Sequence, residues 1–452
     1  MSYAEENSRN QELVLSIQEA LKANDLFAVR EALASLHPSE VADLLESLPS
    51  EIRDELWVHV EAEVEGDVLA EANDMVRAAL LENMESHEVA AATASLDTDD
   101  AADILQDLPG SRADEVLRSM DEQNRVRIAS ILSYPEDTAG GLMNVDVVTV
   151  RADVDVEVVL RYLRRLGAVP EKTDSLMVVD RGNTYLGVVP LAVLVSAFPD
   201  AYIGDLMRID ADGIPANTDA ASVALLFEQR DLLSAAVVDG DGSLLGRITV
   251  DDVVDVIREQ SAHSFMSAAG LNEEEDIFAP VVDSTRRRST WLAINLGTAF
   301  LAAWVIGRFE GTIEQLVALA ILMPVVASMG GVAGSQTLTI VIRGLALGQI
   351  GSANARLLLY RELAIGTLNG ILWAVVVAVI AGLWFGDVWL GVVIGAAIII
   401  NLVVAAFSGA VIPLVLCRIN VDPALAGGVV LTTVTDVVGF FAFLGLATVV
   451  LL

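Results

Sequence analysis

An aspartate stands near the middle of the last apolar run of the chain, in the phrase Leu431-Thr-Thr-Val-Thr-Asp-Val-Val-Gly439. That run, 423–452, is nearly chargeless and exceeds the roughly 20 apolar residues needed to cross a bilayer. A carboxylate at mid-membrane costs about 2.5–3.5 kcal/mol on insertion scales, so such residues face a bundle interior or water and mark ion pathways. Asp436 is therefore the first candidate for chemistry, the capture of a cation; a protonated aspartate bonded to a neighbouring helix is the plainer alternative. A second acidic group, Asp97, Asp99, Asp100 and Asp103, could chelate a cation, although the commoner role of such a run is helix capping on a solvated face. The single cysteine, Cys417, excludes an intrachain disulfide and a thiolate cluster. His37, His59, His87 and His263 lack metal-ligand spacing, and neither His-Glu-x-x-His nor Gly-x-Ser-x-Gly occurs, so an enzyme is not expected.

Charge divides the chain in two. The stretch 281–452 carries a net charge of +1, with eight arginines and no lysine, whereas 1–280 carries −37. An acidic soluble part thus precedes a membrane part. The acidic excess argues against a nucleic-acid partner, which needs clustered Lys and Arg, and suits attraction of cations. Only Lys22 and Lys172 are lysines. The polar, acidic N-terminus reads as no signal peptide, which places the whole acidic part in the cytoplasm.

The elements that must position these acids follow in chain order. Residues 1–135 show helical periodicity, and Ser39-Glu-Val-Ala-Asp-Leu-Leu-Glu-Ser-Leu-Pro49 returns further on as Asp99-Asp-Ala-Ala-Asp-Ile-Leu-Gln-Asp-Leu-Pro109. A weaker copy begins at His87. Short helices that recur in this way must stack to bury their faces, which predicts a superhelical domain. From 136 to 260 the texture changes to a duplicated βαββα unit. Leu176-Met-Val-Val-Asp is echoed by Ala235-Ala-Val-Val-Asp, each running through a Gly/Asp/Asn turn into a second strand. The stretch 249–266 reads as one amphipathic helix from a Thr249 cap, with Asp252 and Asp255 on one face. The acidic run 272–276 reads as a loop.

Charge-free windows at 289–307, 315–342, 363–386 and 388–417, followed by the Asp436 helix, predict five spans. Arg286, Arg287, Arg288, Arg343, Arg356, Arg361 and Arg418 fall on one side, whereas Arg308, Glu310, Glu314 and Asp387 fall on the other. The positive-inside rule then places the C-terminus outside. Pro324 and Met329-Gly-Gly-Val-Ala-Gly-Ser-Gln336 interrupt the second window. They are expected either to free backbone carbonyls toward a water-filled path or to let helices pack closely.

Residues 136–260 look like a tandem of CBS domains, regulatory modules that bind adenosine nucleotides or metal ions. Gly246-x-x-Thr249-x-x-Asp252 resembles that family's nucleotide signature, although a capped helix after a strand gives the same spacing. The whole chain resembles the MgtE family of magnesium channels. Besides domain order, the resemblance rests on Glu136-Asp-Thr-Ala-Gly-Gly-Leu-Met143, Thr249-Val-Asp-Asp-Val-Val-Asp255, Gly330-Gly-x-x-Gly-x-Gln336, Val421-Asp-Pro-Ala-Leu425 and Thr435-Asp-Val-x-Gly439. It implies a multidomain membrane protein: a helical N domain (1–135), CBS domains (136–200 and 201–260), a connecting helix with its linker (249–285) and a five-helix transmembrane domain (286–452). It further implies a homodimer in the inner membrane, with its pore on the twofold axis. Asp436 matches the pore aspartate, and carbonyls near Gly330, Gly331 and Thr432 would bind a hydrated Mg2+. Cytosolic Mg2+ would close the pore by bridging Asp219, Asp231, Asp252, Asp255 and Asp422. ATP is a candidate ligand at Gly246, Thr249 and Asp252.

Gln260, His263 and Ser264 stand where the family helix usually continues with acids, Ala221 replaces another acid, and Val332 replaces an asparagine after the glycine pair. These departures bear on gating strength and ion selectivity; His263 is a candidate for pH sensitivity, although a lone exposed histidine is more often inert. The expected function is gated Mg2+ uptake. The alternatives are a cation-coupled secondary transporter using Asp436 as a proton or Na+ site, and a membrane-anchored nucleotide sensor.

Overall fold

The computed structural model describes residues 3–170, 172–267, 270–271, 277–351, 353–419 and 421–452; the acidic run 272–276 lies outside them. The chain divides into two compact units, Met1–Ser261 with Glu274–Pro280, and Ala262–Glu273 with Val281–Leu452.

The first unit opens with α1 (Tyr3–Lys22), α2 (Leu26–Ala34), α3 (Pro38–Glu46), α4 (Ser50–Trp57), α5 (Glu65–Glu71), α6 (Asp74–Asn83), α7 (Ser86–Ala92), α8 (Thr98–Gln106), α9 (Gly110–Ser119) and α10 (Glu122–Ile131). The internal repeat is real in three dimensions. Val41, Ala42, Leu44 and Leu45 form the buried face of α3, and their counterparts in the repeat, Ala101, Ala102, Ile104 and Leu105, form that of α8. The Leu-Pro stops recur as N-caps, Pro49 before α4 and Pro109 before α9. A proline cannot extend the preceding helix but suits the start of the next. Arg53, almost completely buried, donates from Nε to the Leu45 carbonyl at 2.9 Å and from Nη2 to the Leu48 carbonyl at 3.0 Å. It thereby satisfies acceptors left over at the end of α3.

The duplicated part folds as two three-stranded sheets. In the first, β1 (Thr149–Arg151) is parallel to β2 (Ser175–Val179), which is antiparallel to β3 (Tyr185–Pro190). The second repeats this with β4 (Ile214–Pro215), β5 (Ser234–Val238) and β6 (Leu244–Thr249). The registers of the two copies coincide: Val178 opposes Gly187 as Val237 opposes Gly246, with an irregularity immediately after in each. Ser175 and Ser234, equivalent positions, touch at 3.2 Å between hydroxyls. The helices are α11 (Val156–Leu166), α12 (Leu191–Ser196), α13 (Ile203–Leu206), α14 (Ala220–Arg230) and α15 (Val250–Ser267).

The second unit contains α16 (Val281–Gly307), α17 (Glu310–Gln315), α18 (Ala318–Ala346), α19 (Ala355–Phe385), α20 (Val388–Arg418) and α21 (Pro423–Val450). All but α17 are long and apolar enough to cross a membrane. Helix α20 is the hub, packed against α18, α19 and α21. Small residues allow this approach: a Cβ on Gly395 would meet the Ala374 carbonyl at 3.1 Å, and one on Gly370 would meet the Ile399 backbone at 3.3 Å.

Two expectations need correction. The second span is not broken; α18 is one continuous helix with Pro324 inside it, where the missing N–H leaves the Ala320 carbonyl without its helical donor, and of its glycines Gly330 and Gly334 serve close packing. The third span begins at Ala355, not 363, because the helix continues past the apolar window through Arg356, Arg361 and Glu362. Replacing Arg53 by methionine should strand two buried carbonyls and destabilise the α3–α4 corner by about 2–4 kcal/mol. Hydrogen exchange of the α3 and α4 amides in the full-length protein reads this out, and unchanged exchange would refute it.

Candidate ion pathway and acidic sensor site

Asp436 lies midway along α21, half-buried, with no hydrogen-bond or ion-pair partner among the described residues. Gly428 and Thr432 precede it at four-residue spacing, so the three form one stripe along the helix. The stripe is open: a Cβ on Gly428 would meet nothing within 4 Å, and Thr432 is exposed, its hydroxyl donating to the Gly428 carbonyl at 3.0 Å. On α18 a shallow groove is lined by Ser328, Gly331, Val332, Ser335, Gln336 and Thr339. Ser335 donates to the Gly331 carbonyl there at 2.8 Å. Val332 is exposed in the groove, so the chain presents an isopropyl group on this face.

Gly330 faces the other way and does not join Gly331 in the groove. It is buried against Asn401 of α20, whose amide also covers Gly439 of α21 at 2.7 Å from a would-be Cβ. Asn401 is fully buried, donates to the Val326 carbonyl at 2.9 Å, and leaves Oδ1 without a partner among the described residues. Sequence reasoning missed Asn401, although it is the one carboxamide in the apolar window 388–417. It also missed Glu362, buried and accepting from Thr337 at 3.1 Å, because Glu362 falls just outside the charge-free window.

In the first unit, acids converge on α8 and the start of α15. Carboxylate oxygens of Asp97, Asp99 and Asp100 lie within 4.8 Å of one another. Asp97 stands at the N-cap position of α8 without making a side-chain cap bond. Asp99 is 7% exposed, and its Oδ1 has no partner among the described residues. Solvated capping therefore does not describe this run. A buried carboxyl oxygen without a partner, beside two further acids, fits a hard divalent cation, which prefers oxygen ligands and would displace the protons.

Asp252 joins the seam from α15. Burial, then repulsion from Asp251, raises it to about 7, against two hydrogen bonds from Thr249. Burial raises Asp100 to about 6, helped by Asp97 and opposed by Lys172. It raises Asp103 to about 8 against the pull of Arg77. Asp99 is driven well above its usual range by burial, then by Asp252 and Asp100. Two cations bracket the seam. Arg77 is paired with Asp74 and Asp107, and Lys172 is paired with Asp251. Burial is the largest single influence and opposes ionisation of both Lys172 and Asp251, yet their hydrogen bond, mutual attraction and further polar neighbours together outweigh it. The ammonium is held above its ordinary range and the carboxylate below. Neither Lys172 nor Asp251 had a signal as a site residue beyond the rarity of lysine and the adjacency of Asp251 to Asp252.

Among the described residues, the remaining candidate acids of the first unit do not join this cluster. Asp219 caps α14, accepting from the Ser222 amide at 2.9 Å and hydroxyl at 2.7 Å. Asp231 ends the same helix in a left-handed conformation, φ 51°. Asp255 is exposed on α15. In the second unit, Asp422 caps α21 through the Ala424 and Leu425 amides, and its Oδ2 lies 3.2 Å from His263 Nε2. Of the nucleotide-type triad, Thr249 gives Asp252 its amide and hydroxyl, at 2.9 and 3.0 Å, as a helix cap does. Gly246 is required by packing, since a Cβ would lie 2.7 Å from the Asn144 carbonyl.

Among the described residues, five helices long and apolar enough to cross a membrane, one with an unpaired carboxylate near its middle, define the class of a multi-pass membrane protein. Residues 323–446 match the MgtE family, described as divalent cation transporters; 36–137 match the MgtE intracellular N domain, and 139–200 and 203–259 match CBS domains. A magnesium transporter MgtE of Thermus thermophilus is 30% identical over 98% of this chain and 99% of its own, and that of Bacillus subtilis is 26% identical over 98% of each. The cytosolic domain of the Mg2+ channel MgtE, solved in complex with ATP, is 32% identical with a TM-score of 0.50, matching 54% of this chain and 99% of that one. The chain belongs to the MgtE family: a multi-pass membrane transporter with an intracellular N domain, and not an enzyme.

The raised aspartates fix the sign of a pH effect. Because their folded-state values exceed the ordinary carboxylate range, bound protons favour the folded seam. That contribution is complete below about pH 4 and is lost as pH rises through about 6 to 8. Without divalent cations, thermal unfolding of the soluble unit in the full-length protein should fall to lower temperature between about pH 5 and about pH 8.5, and millimolar Mg2+ should flatten the trend. A midpoint that rises across this window without metal would refute the assignment.

Proposed function

We propose that the protein is a homodimeric, passive Mg2+ channel of the bacterial inner membrane, closed when cytosolic Mg2+ binds its soluble domains. The observation that carries this reading is the unpartnered carboxylate of Asp436 on an open stripe of small and polar residues. Such a stripe is costly against lipid, and a second copy across a twofold axis would cover it and bring two Asp436 side chains together. Mg2+ sheds water reluctantly and is held through one or two carboxylates with several waters kept, which matches such a pair. Gly331 and Thr432 line the approach; Gly330 contributes through packing.

Closure is assigned to the acidic positions Asp219, Asp231, Asp252, Asp255 and Asp422, with Asp99 and Asp100 added by their place beside Asp252. Acid surfaces that repel when metal-free and lock when a divalent ion joins them make a two-state element biased by ligand. ATP is the second proposed effector, at Gly246, Thr249 and Asp252, supported by the ATP complex of the related cytosolic domain; there it would compete with the Thr249 cap for Asp252. The arginine distribution supports an external C-terminus.

Reconstituted into liposomes, the wild type should pass Mg2+ down its gradient with single-channel currents. Asp436→Asn should lower flux by about tenfold or more, as loss of a cation-binding charge implies. Intact flux in the inserted Asn variant would overturn the pore assignment. Strict dependence on a proton or Na+ gradient would identify a coupled carrier.

A further inference from the structure

Two basic side chains reach the acidic seam, and they differ in how firmly they are held. The Arg77 side chain is 9% exposed and bound to two carboxylates, whereas Lys172 is half exposed and bound to one, Asp251, itself about one-third exposed. Lys172 can leave for water without uncovering a buried group; Arg77 cannot. The backbone beneath Lys172 is nevertheless fixed. It adopts a left-handed conformation, φ 56°, and Nη1 of the buried Arg247 lies 3.3 Å from the Lys172 carbonyl and 3.2 Å from the Thr173 hydroxyl. The ammonium is thus delivered to Asp251, within electrostatic reach of Asp100 and Asp252, while the orphaned Asp99 Oδ1 leaves capacity for further positive charge.

We propose that Lys172 is a tethered competitor for the divalent cation at the Asp99–Asp100–Asp251–Asp252 seam, so that the metal threshold of the cytoplasmic domains is set by displacing one ammonium. This rests on the gating function proposed above. The ammonium supplies one charge at no cost in association entropy, because it is part of the chain. The metal supplies two charges and must free Asp251 to use them. The device raises the Mg2+ concentration at which the seam closes, without contributing a ligand atom.

The test is Mg2+-dependent protection from limited proteolysis, and Mg2+ calorimetry, on full-length protein in detergent. Lys172→Met should lower the half-saturating Mg2+ concentration by about tenfold, the change expected for removing one nearby like charge, and Lys172→Arg should stay near the wild type. Asp99→Asn should raise the midpoint. A lysine whose role is structural would give the opposite result, with Lys172→Met closing at higher Mg2+ or not at all. If Asp99→Asn shifts the midpoint but Lys172→Met leaves it unchanged or raises it, the competitor role is overturned and sensing at the seam stands. A wild type whose protection ignores Mg2+ overturns the sensor reading, and this inference with it.

Discussion

Carboxylates brought close together repel, and each one withdrawn from water must find a cation, a hydrogen-bond donor or a proton. On α8 and the first turn of α15 the supply of such partners runs short. Arg77 serves Asp74 and Asp107, Lys172 serves Asp251, and Thr249 serves Asp252; one oxygen of Asp99 receives nothing from the described residues. Asp436 meets the same shortage in an apolar helix, with no partner at all among the described residues. A binding site for a hard cation needs little more than this incompleteness, because ligands already satisfied by the protein would have to be torn free.

The membrane unit solves a different problem. Lipid gives apolar helices no hydrophobic reason to associate, so cohesion comes from close packing and a few polar contacts. Glycines on α18, α19 and α21 allow backbones to approach α20, and the buried amide of Asn401 fills the space over two of them. The polar and open residues of α18 and α21 are thereby left on the outer surfaces of the pair.

Much of this was legible in the chain because its repeats keep their internal spacing. The copies that begin at Ser39 and Asp99 reappear as matching buried faces, and those at Leu176 and Ala235 as matching strand registers, since identical spacing of apolar residues imposes identical packing. Asp436 could be singled out because a charge in an apolar run has few readings. What stayed hidden depended on distant partners. Lys172 meets Asp251 and Asn401 reaches Val326 from far along the chain, and no local pattern encodes either meeting. Glycine is ambiguous for the same reason: Gly330 and Gly331 are adjacent in sequence, yet one is buried against Asn401 and the other is open.

Asn401 has a mechanical corollary. Its amide seats against Gly330 on one side and Gly439 on the other. One helical turn beyond Gly330 lies Gly334, which is already filled by Leu431 of α21. One turn from Gly439 lie Thr435 and Phe443, whose side chains would collide with the amide. The depth of the Asp436 carboxylate, three residues before Gly439, is thus registered by a neutral carboxamide one helix away.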